Sequence, residues 1–218
     1  MIEKIALGLL GLAVGVLPTM VLLTTPVLAQ SVVEEKGTLE SVILAQAGAW
    51  ANVTLRLEDL PPGFTAMPPA EIAALKEELS EDEINVENVF AFTRLQRFQL
   101  IMGITTRLET AQQQAEFDEL LGDPEKLKSL LAENLEQTNV PAQALNNINN
   151  IGDAAAGVSF QVDLGNLLGQ LEILGLRRNQ MGAFVFVLYP DGDRPLYPIA
   201  QVGRLLDRRI QEVRTRGN

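Results

Sequence analysis

The chain contains no histidine and no cysteine. Thiol nucleophiles, Ser-His-Asp relays and Cys/His zinc sites are therefore beyond its reach. Proton transfer would fall to carboxylates, lysine or tyrosine. No carboxylate pair stands out on a scaffold, so neither an enzyme activity nor a cofactor is expected. Asp191-Gly192-Asp193 starts like a calcium loop, but the twelfth position from Asp191, where such a loop needs Glu, is Val202. Asp and Gly are also turn formers, and a turn is the expected reading. Glu77, Glu78, Glu81, Asp82, Glu83 and Glu87 could attract a cation or a basic partner. A solvated helix end and loop is the plainer expectation for such a run.

Arginine offers the other chemistry. Arg94, Arg107 and Arg177 fall near the ends of three expected strands, and three guanidinium groups together could hold an anion. The simpler alternative is pairing with nearby Asp or Glu. Arg177 and Arg178 are adjacent on one strand, so they point to opposite faces. The turn Asp59-Leu60-Pro61-Pro62-Gly63-Phe64 is stiffened by its two prolines and would present Phe64 at small entropic cost. A tentative binding surface therefore lies where this turn meets the sheet, with Phe64 as apolar anchor and Arg177 as polar anchor. The last residues, from Gln170, hold eight arginines against five acidic residues, in a chain whose net charge is −11. That acidity argues against nucleic acid, which needs a dense basic surface. The partner is expected to be an unknown protein or small ligand.

The elements that must position these residues follow from periodicity. Val53, Leu55 and Leu57 alternate with polar residues, as in a half-buried strand. Pro69 to Glu78 reads as a helix. Val86–Leu95 and Phe98–Leu108 read as strands, apolar on both faces over part of their length, as covered central strands are. Glu109 to Leu121 is helical by composition. Asp123 can cap a further helix with Pro124 at its first position, where Leu127, Leu130, Leu131 and Leu135 share a face. Asn139 to Asn150 reads as a loop. Val158 to Leu164 alternates as a strand, and two more strands follow at Leu171–Arg178 and Ala183–Tyr189, joined by Asn179–Gly182. Ile199, Val202, Leu206, Ile210 and Val213 recur at helical spacing. Short links between consecutive strands imply antiparallel pairing. The expected fold is α+β: an antiparallel sheet of about six strands flanked by helices, in a single domain over residues 50–214.

Ahead of this domain, Ile5 to Leu28 carries no charge and ends at Val27-Leu28-Ala29. Small residues at the first and third of these positions fit a signal cleaved after Ala29. Residues 1–29 are thus expected to be a signal peptide and 30–49 a lead-in. The alternative is a retained membrane anchor, because the apolar run is long enough to span a bilayer. Membrane contact is then expected only through that leader. The domain would work in a periplasm, a thylakoid lumen or the extracellular space, without disulfides.

Three segments carry a resemblance: Asp59-Leu60-Pro61-Pro62-Gly63-Phe64, Ile151-Gly152-Asp153-Ala154-Ala155 and Leu176-Arg177-Arg178-Asn179. Together they resemble the bacterial extracellular sensor-like domains of the LpqN/DcrB type, with a PsbP-like α/β/α architecture, over roughly residues 50–213. The resemblance implies an α/β/α sandwich and a non-catalytic extracytoplasmic role, and carries over no ligand residues. A lipobox and a disulfide are missing from the pattern.

Overall fold

The computed structural model describes residues 53–81, 86–134, 142–164 and 167–216. The leader and the lead-in segment 30–49 lie outside these residues, as do Asp82 to Asn85, which include part of the acidic stretch, and Leu135. Seven strands form one antiparallel sheet: β1 Thr65–Ala66, β2 Asn88–Arg94, β3 Gln99–Arg107, β4 Gln143–Ala144, β5 Ala154–Asp163, β6 Leu168–Arg178 and β7 Met181–Pro190. Their order across the sheet is β1-β2-β3-β7-β6-β5-β4. Four α-helices accompany them among the described residues: α1 Pro69–Glu81, α2 Ala111–Gly122, α3 Pro124–Asn134 and α4 Ile199–Arg216. The class is α+β, with seven strands in place of about six.

Two meanders meet in the middle of the sheet. β1, β2 and β3 run in sequence order from one edge, and β4 to β7 run in from the other. They join where β3 pairs with β7, from Leu100 opposite Leu188 to Arg107 opposite Met181. Both strands are buried along nearly their whole length, as their doubly apolar sequences require. Successive side chains of a strand face opposite sides, so each central strand feeds two cores. On one side Leu75 and Leu79 of α1, Phe117 and Leu121 of α2, and Leu127 of α3 pack on Met102, Ile104, Phe160, Ile173, Phe184 and Phe186. On the other side Ile199, Val202, Leu206 and Ile210 of α4 pack on Ile101, Leu174, Leu176, Val185 and Val187.

Local chemistry fixes several boundaries. Thr110 caps α2 by accepting from the Gln113 N–H at 3.1 Å, and the Gln113 side chain accepts in return from the Thr110 N–H. Asp123 Oδ1 accepts from the N–H groups of Glu125 and Lys126, so α3 begins at Pro124 as its sequence demands. The β6–β7 turn needs only Asn179 and Gln180, with Asn179 at φ 54°, a conformation that asparagine tolerates better than most residues.

Two expectations need correction. Residues 53–57 are not a strand: Val53 and Leu55 are buried as their alternation requires, but the segment passes into a short 3-10 turn at Leu57–Asp59. Asp59 Oδ2 accepts from the Arg56 N–H at 2.9 Å and curls the chain there. A period of two reports which side chains are buried, and it does not guarantee a ladder partner. In the segment read as a loop, Gln143–Ala144 pairs with Val158 and Ser159 as an edge strand.

Candidate functional site

Arg177 and Arg178 end β6 and diverge to the two faces, as their adjacency requires. Arg177 Nε and Nη2 donate to the two carboxylate oxygens of Asp118 on α2, at 2.5 and 2.7 Å. Arg178 Nε and Nη2 make the same fork with Asp207 on α4, at 2.7 and 2.8 Å. Asp153 links the two: it accepts from Arg178 Nη1 at 2.7 Å, from Arg177 Nη1 at 3.4 Å and from the Asn179 N–H at 2.6 Å. One hairpin end is thereby tied to a helix on each side of the sheet.

Electrostatics agree with that geometry. The hydrogen bonds that Arg177 donates to Asp118 raise it further above its ordinary range, and those that Arg178 donates to Asp207 do the same for Arg178. Burial alone would raise the Asp207 carboxyl. The Arg178 fork, the Gly152 N–H and Gln211 outweigh it and hold Asp207 below the usual carboxylate range. Arg177 is thus fully engaged, with its side chain 14% exposed. Arg107 reaches Glu109 at 3.9 Å. Arg94 stands at the opposite end of the sheet from Arg107 and Arg177, so the three do not converge on an anion pocket; pairing accounts for Arg177, while Arg107 keeps a buried Nε without a hydrogen-bond partner among the described residues.

Phe64 sits on the other face. It is 7% exposed and packs with Phe90, Phe92 and the α4 side chains. A side chain so buried contributes to the core and cannot anchor a surface ligand. Phe64 and Arg177 therefore do not share a surface, which corrects the expected pairing. The turn nonetheless meets the sheet, and it does so at Arg94. A side chain on Gly63, whose φ is +100°, would lie 3.1 Å from Arg94 Nε. Arg94 Nε and Nη1 are buried and have no hydrogen-bond partner among the described residues. Unpaired guanidinium nitrogens are costly in a folded protein, and such atoms call for an explanation.

Beside Arg94 at the end of β2 stands Gln99 at the start of β3. Gln99 is buried and fastens the 191–198 loop: its Nε2 donates to the Tyr197 carbonyl at 2.8 Å, and its Oε1 accepts from the Leu196 N–H at 3.0 Å. Tyr189 lies across the sheet in the same region and donates to Glu172 Oε1 at 2.9 Å. Burial raises the Glu172 carboxyl, against the Tyr189 hydroxyl and the Ile199 N–H, which favour its charged form. Glu172 Oε2 itself accepts no well-formed hydrogen bond from the described residues. Burial and the Glu172 charge push Tyr189 up in turn. A signal for Glu172 is present in the sequence: a carboxylate inside the apolar run Leu171-Glu172-Ile173-Leu174.

Each of the three segments that carry the resemblance contributes to an ion pair. Asp59 Oδ1 accepts from Arg209 Nη2 at 2.5 Å, and Asp153 joins Arg177 and Arg178. These acidic residues bind the chain to itself. Asp191-Gly192-Asp193 is a turn, with Gly192 at φ +81° and Asp191 Oδ2 accepting from Gln161 at 2.7 Å. Among the described residues, no group of three acidic side chains is placed to hold a metal ion. No protein-family model matches the chain, and a search of curated proteins finds no match.

Proposed function

We propose that the chain is an exported, non-enzymatic binding or assembly module of the periplasm or lumen. The observation that carries this reading is the contrast among its arginines. Arg177, Arg178 and Arg209 are locked to carboxylates, whereas Arg94 keeps two guanidinium nitrogens unpaired among the described residues, beside a stiff Pro-Pro-Gly turn. The Arg94 side chain is half-buried, and its charge has no ion-pair partner among the described residues; the part of the guanidinium that remains open fits recognition of a carboxylate or phosphate group on a partner. The LpqN/DcrB-type resemblance and its PsbP-like sandwich belong to the same reading, supported by helices packed on both faces of the sheet. Export rests on the uncharged Ile5–Leu28 run and the Ala29 site.

A second reading is an accessory subunit of an envelope or photosynthetic membrane complex. Native mass spectrometry after purification from the extracytoplasmic fraction separates the two. A lone chain retaining a small ligand favours the binding module, and a stable protein complex favours the subunit. In either case Arg94→Met is expected to lose the bound species. Turnover of a substrate by the pure protein, abolished by one side-chain change, overturns the non-enzymatic reading.

A further inference from the structure

Two guanidinium groups and three carboxylates meet at the β6–β7 hairpin end. Asp118 comes from α2 on one side of the sheet, Asp207 from α4 on the other, and Asp153 from the segment that leads into β5. Among the described residues, no cation other than Arg177 and Arg178 stands within ion-pair distance of these three carboxylates. Asp118 is taken up by its fork with Arg177, and Asp207 by its fork with Arg178. Asp153 is the one carboxylate that both arginines reach. Its Oδ1 accepts from Arg178 Nη1 at 2.7 Å, and its Oδ2 from Arg177 Nη1 at 3.4 Å. It therefore leans toward the α4 arm, while Arg177 Nη1 has the Asn179 carbonyl, at 2.9 Å, as a second acceptor.

The segment that carries Asp153 passes from one core to the other. Ile151 packs with the α4 side chains, and Ala154 packs against the core on the α2 side. Between them the Gly152 N–H donates to Asp207, and the Asp153 N–H donates to the Arg177 carbonyl at 2.6 Å. The backbone of Asp153 is thus fixed. The freedom left to its carboxylate lies in how it divides between the two guanidinium groups. All five charged side chains are partly shielded from water, from 8% exposed at Asp207 to 39% at Asp118. Short ionic contacts at such sites are screened less than those in open solvent.

We infer that Asp153 is a positioning residue that couples the two helix layers across the sheet. When Arg178 loses Asp207, Asp153 becomes its only carboxylate and is drawn toward it. Arg177 then gives up its share of Asp153 and leans on Asp118. When Arg177 loses Asp118, the shift runs the other way. Asp153 offsets part of the loss of either arm, but it cannot serve both at once. A displacement of α4 is felt at α2 through one carboxylate, and by linkage the reverse holds. The inference goes beyond the binding-module reading and does not rest on Arg94.

The test reads the Nε–H resonances of Arg177 and Arg178 in proton–nitrogen correlation spectra of the full-length protein. Asp207→Asn removes the charge of the α4 arm. The expected result is a shift at Arg177, although its partner Asp118 is untouched, and loss of that shift when Asp207→Asn is made in an Asp153→Asn background. Asp118→Asn reads the coupling in reverse at Arg178, and serves if Asp207→Asn does not fold. Thermal unfolding gives a second readout. Asp118→Asn and Asp207→Asn together should lower the melting temperature by about 2–4 °C more than the sum of the single shifts, and the excess should vanish with Asp153→Asn. An unmoved Arg177 resonance, an equal shift with and without the Asp153 carboxylate, or additive melting shifts would overturn the inference.

Discussion

Asp207→Ala removes one arm of the clamp at the β6 end. The substitution breaks two charge-assisted bonds from Arg178, at 2.7 and 2.8 Å, and leaves that guanidinium with Asp153 alone. The Asp207 side chain is 8% exposed and that of Arg178 22%. Breaking a buried ion pair costs about 3–5 kcal/mol, because the remaining charge is stranded. The surviving Asp153 contact and the partial exposure of Arg178 reduce this to about 2–3 kcal/mol. At about 2–4 °C per kcal/mol for a domain of this size, the melting temperature should fall by about 4–12 °C. A double-mutant cycle with Arg178→Met isolates the pair and should give a coupling above about 1 kcal/mol. Sign and pH window follow from the depressed Asp207 carboxyl. Its contribution is complete above the unfolded carboxylate value of about 3.9, and is lost as pH falls through the lower folded value. Urea titrations of wild type and variant should therefore differ most at neutral pH and converge in strong acid. A coupling near zero, or a difference that persists unchanged at low pH, would refute the clamp.

The opposite pH behaviour is expected at Glu172, whose carboxyl burial raises. Its contribution is present below the unfolded value and is lost as pH rises through the raised folded value, so Glu172→Gln should stabilise the protein by about 1 kcal/mol at neutral pH and not in acid, by urea titration. Phe64→Ala should cost about 3–5 kcal/mol through the cavity it leaves, with thermal unfolding as the measure. Arg94→Met should leave stability within about 1 kcal/mol of wild type or raise it, because two unpaired nitrogens are removed, as thermal unfolding would again read. Gly152→Ala should cost more than about 2 kcal/mol: the residue sits at φ +68°, and its Cβ would lie 2.4 Å from the Arg177 carbonyl, a backbone atom with little room to yield.

Legibility differs by kind of signal. Helices are plain where caps and apolar spacing agree, as at Asp123-Pro124 and along Ile199, Val202, Leu206 and Ile210. β3 and β7 announce themselves as central strands by being apolar on both faces. β1 and β4 leave no trace, because a two-residue edge strand is defined by its neighbour's hydrogen bonds and not by its own pattern. Val53–Leu57 shows the reverse, with strand alternation but no ladder. At the site, the divergence of Arg177 and Arg178 follows from adjacency, but their acidic partners lie 59 and 29 residues away and no local pattern links them. Phe64 reads as an anchor because its turn is stiff; the same stiffness drives it into the core over Phe90 and Phe92. The arginine beside that turn is Arg94, which only the sheet register reveals.

Every functional proposal made for this domain requires it to work outside the cytoplasm. Amino-terminal sequencing of the protein recovered from each fraction of its host addresses that requirement. The expected result is an extracytoplasmic protein beginning at Gln30, and an intact Met1 in the membrane fraction would mean that the domain hangs from its leader. An intact chain recovered from the cytosol would contradict export and the function built on it.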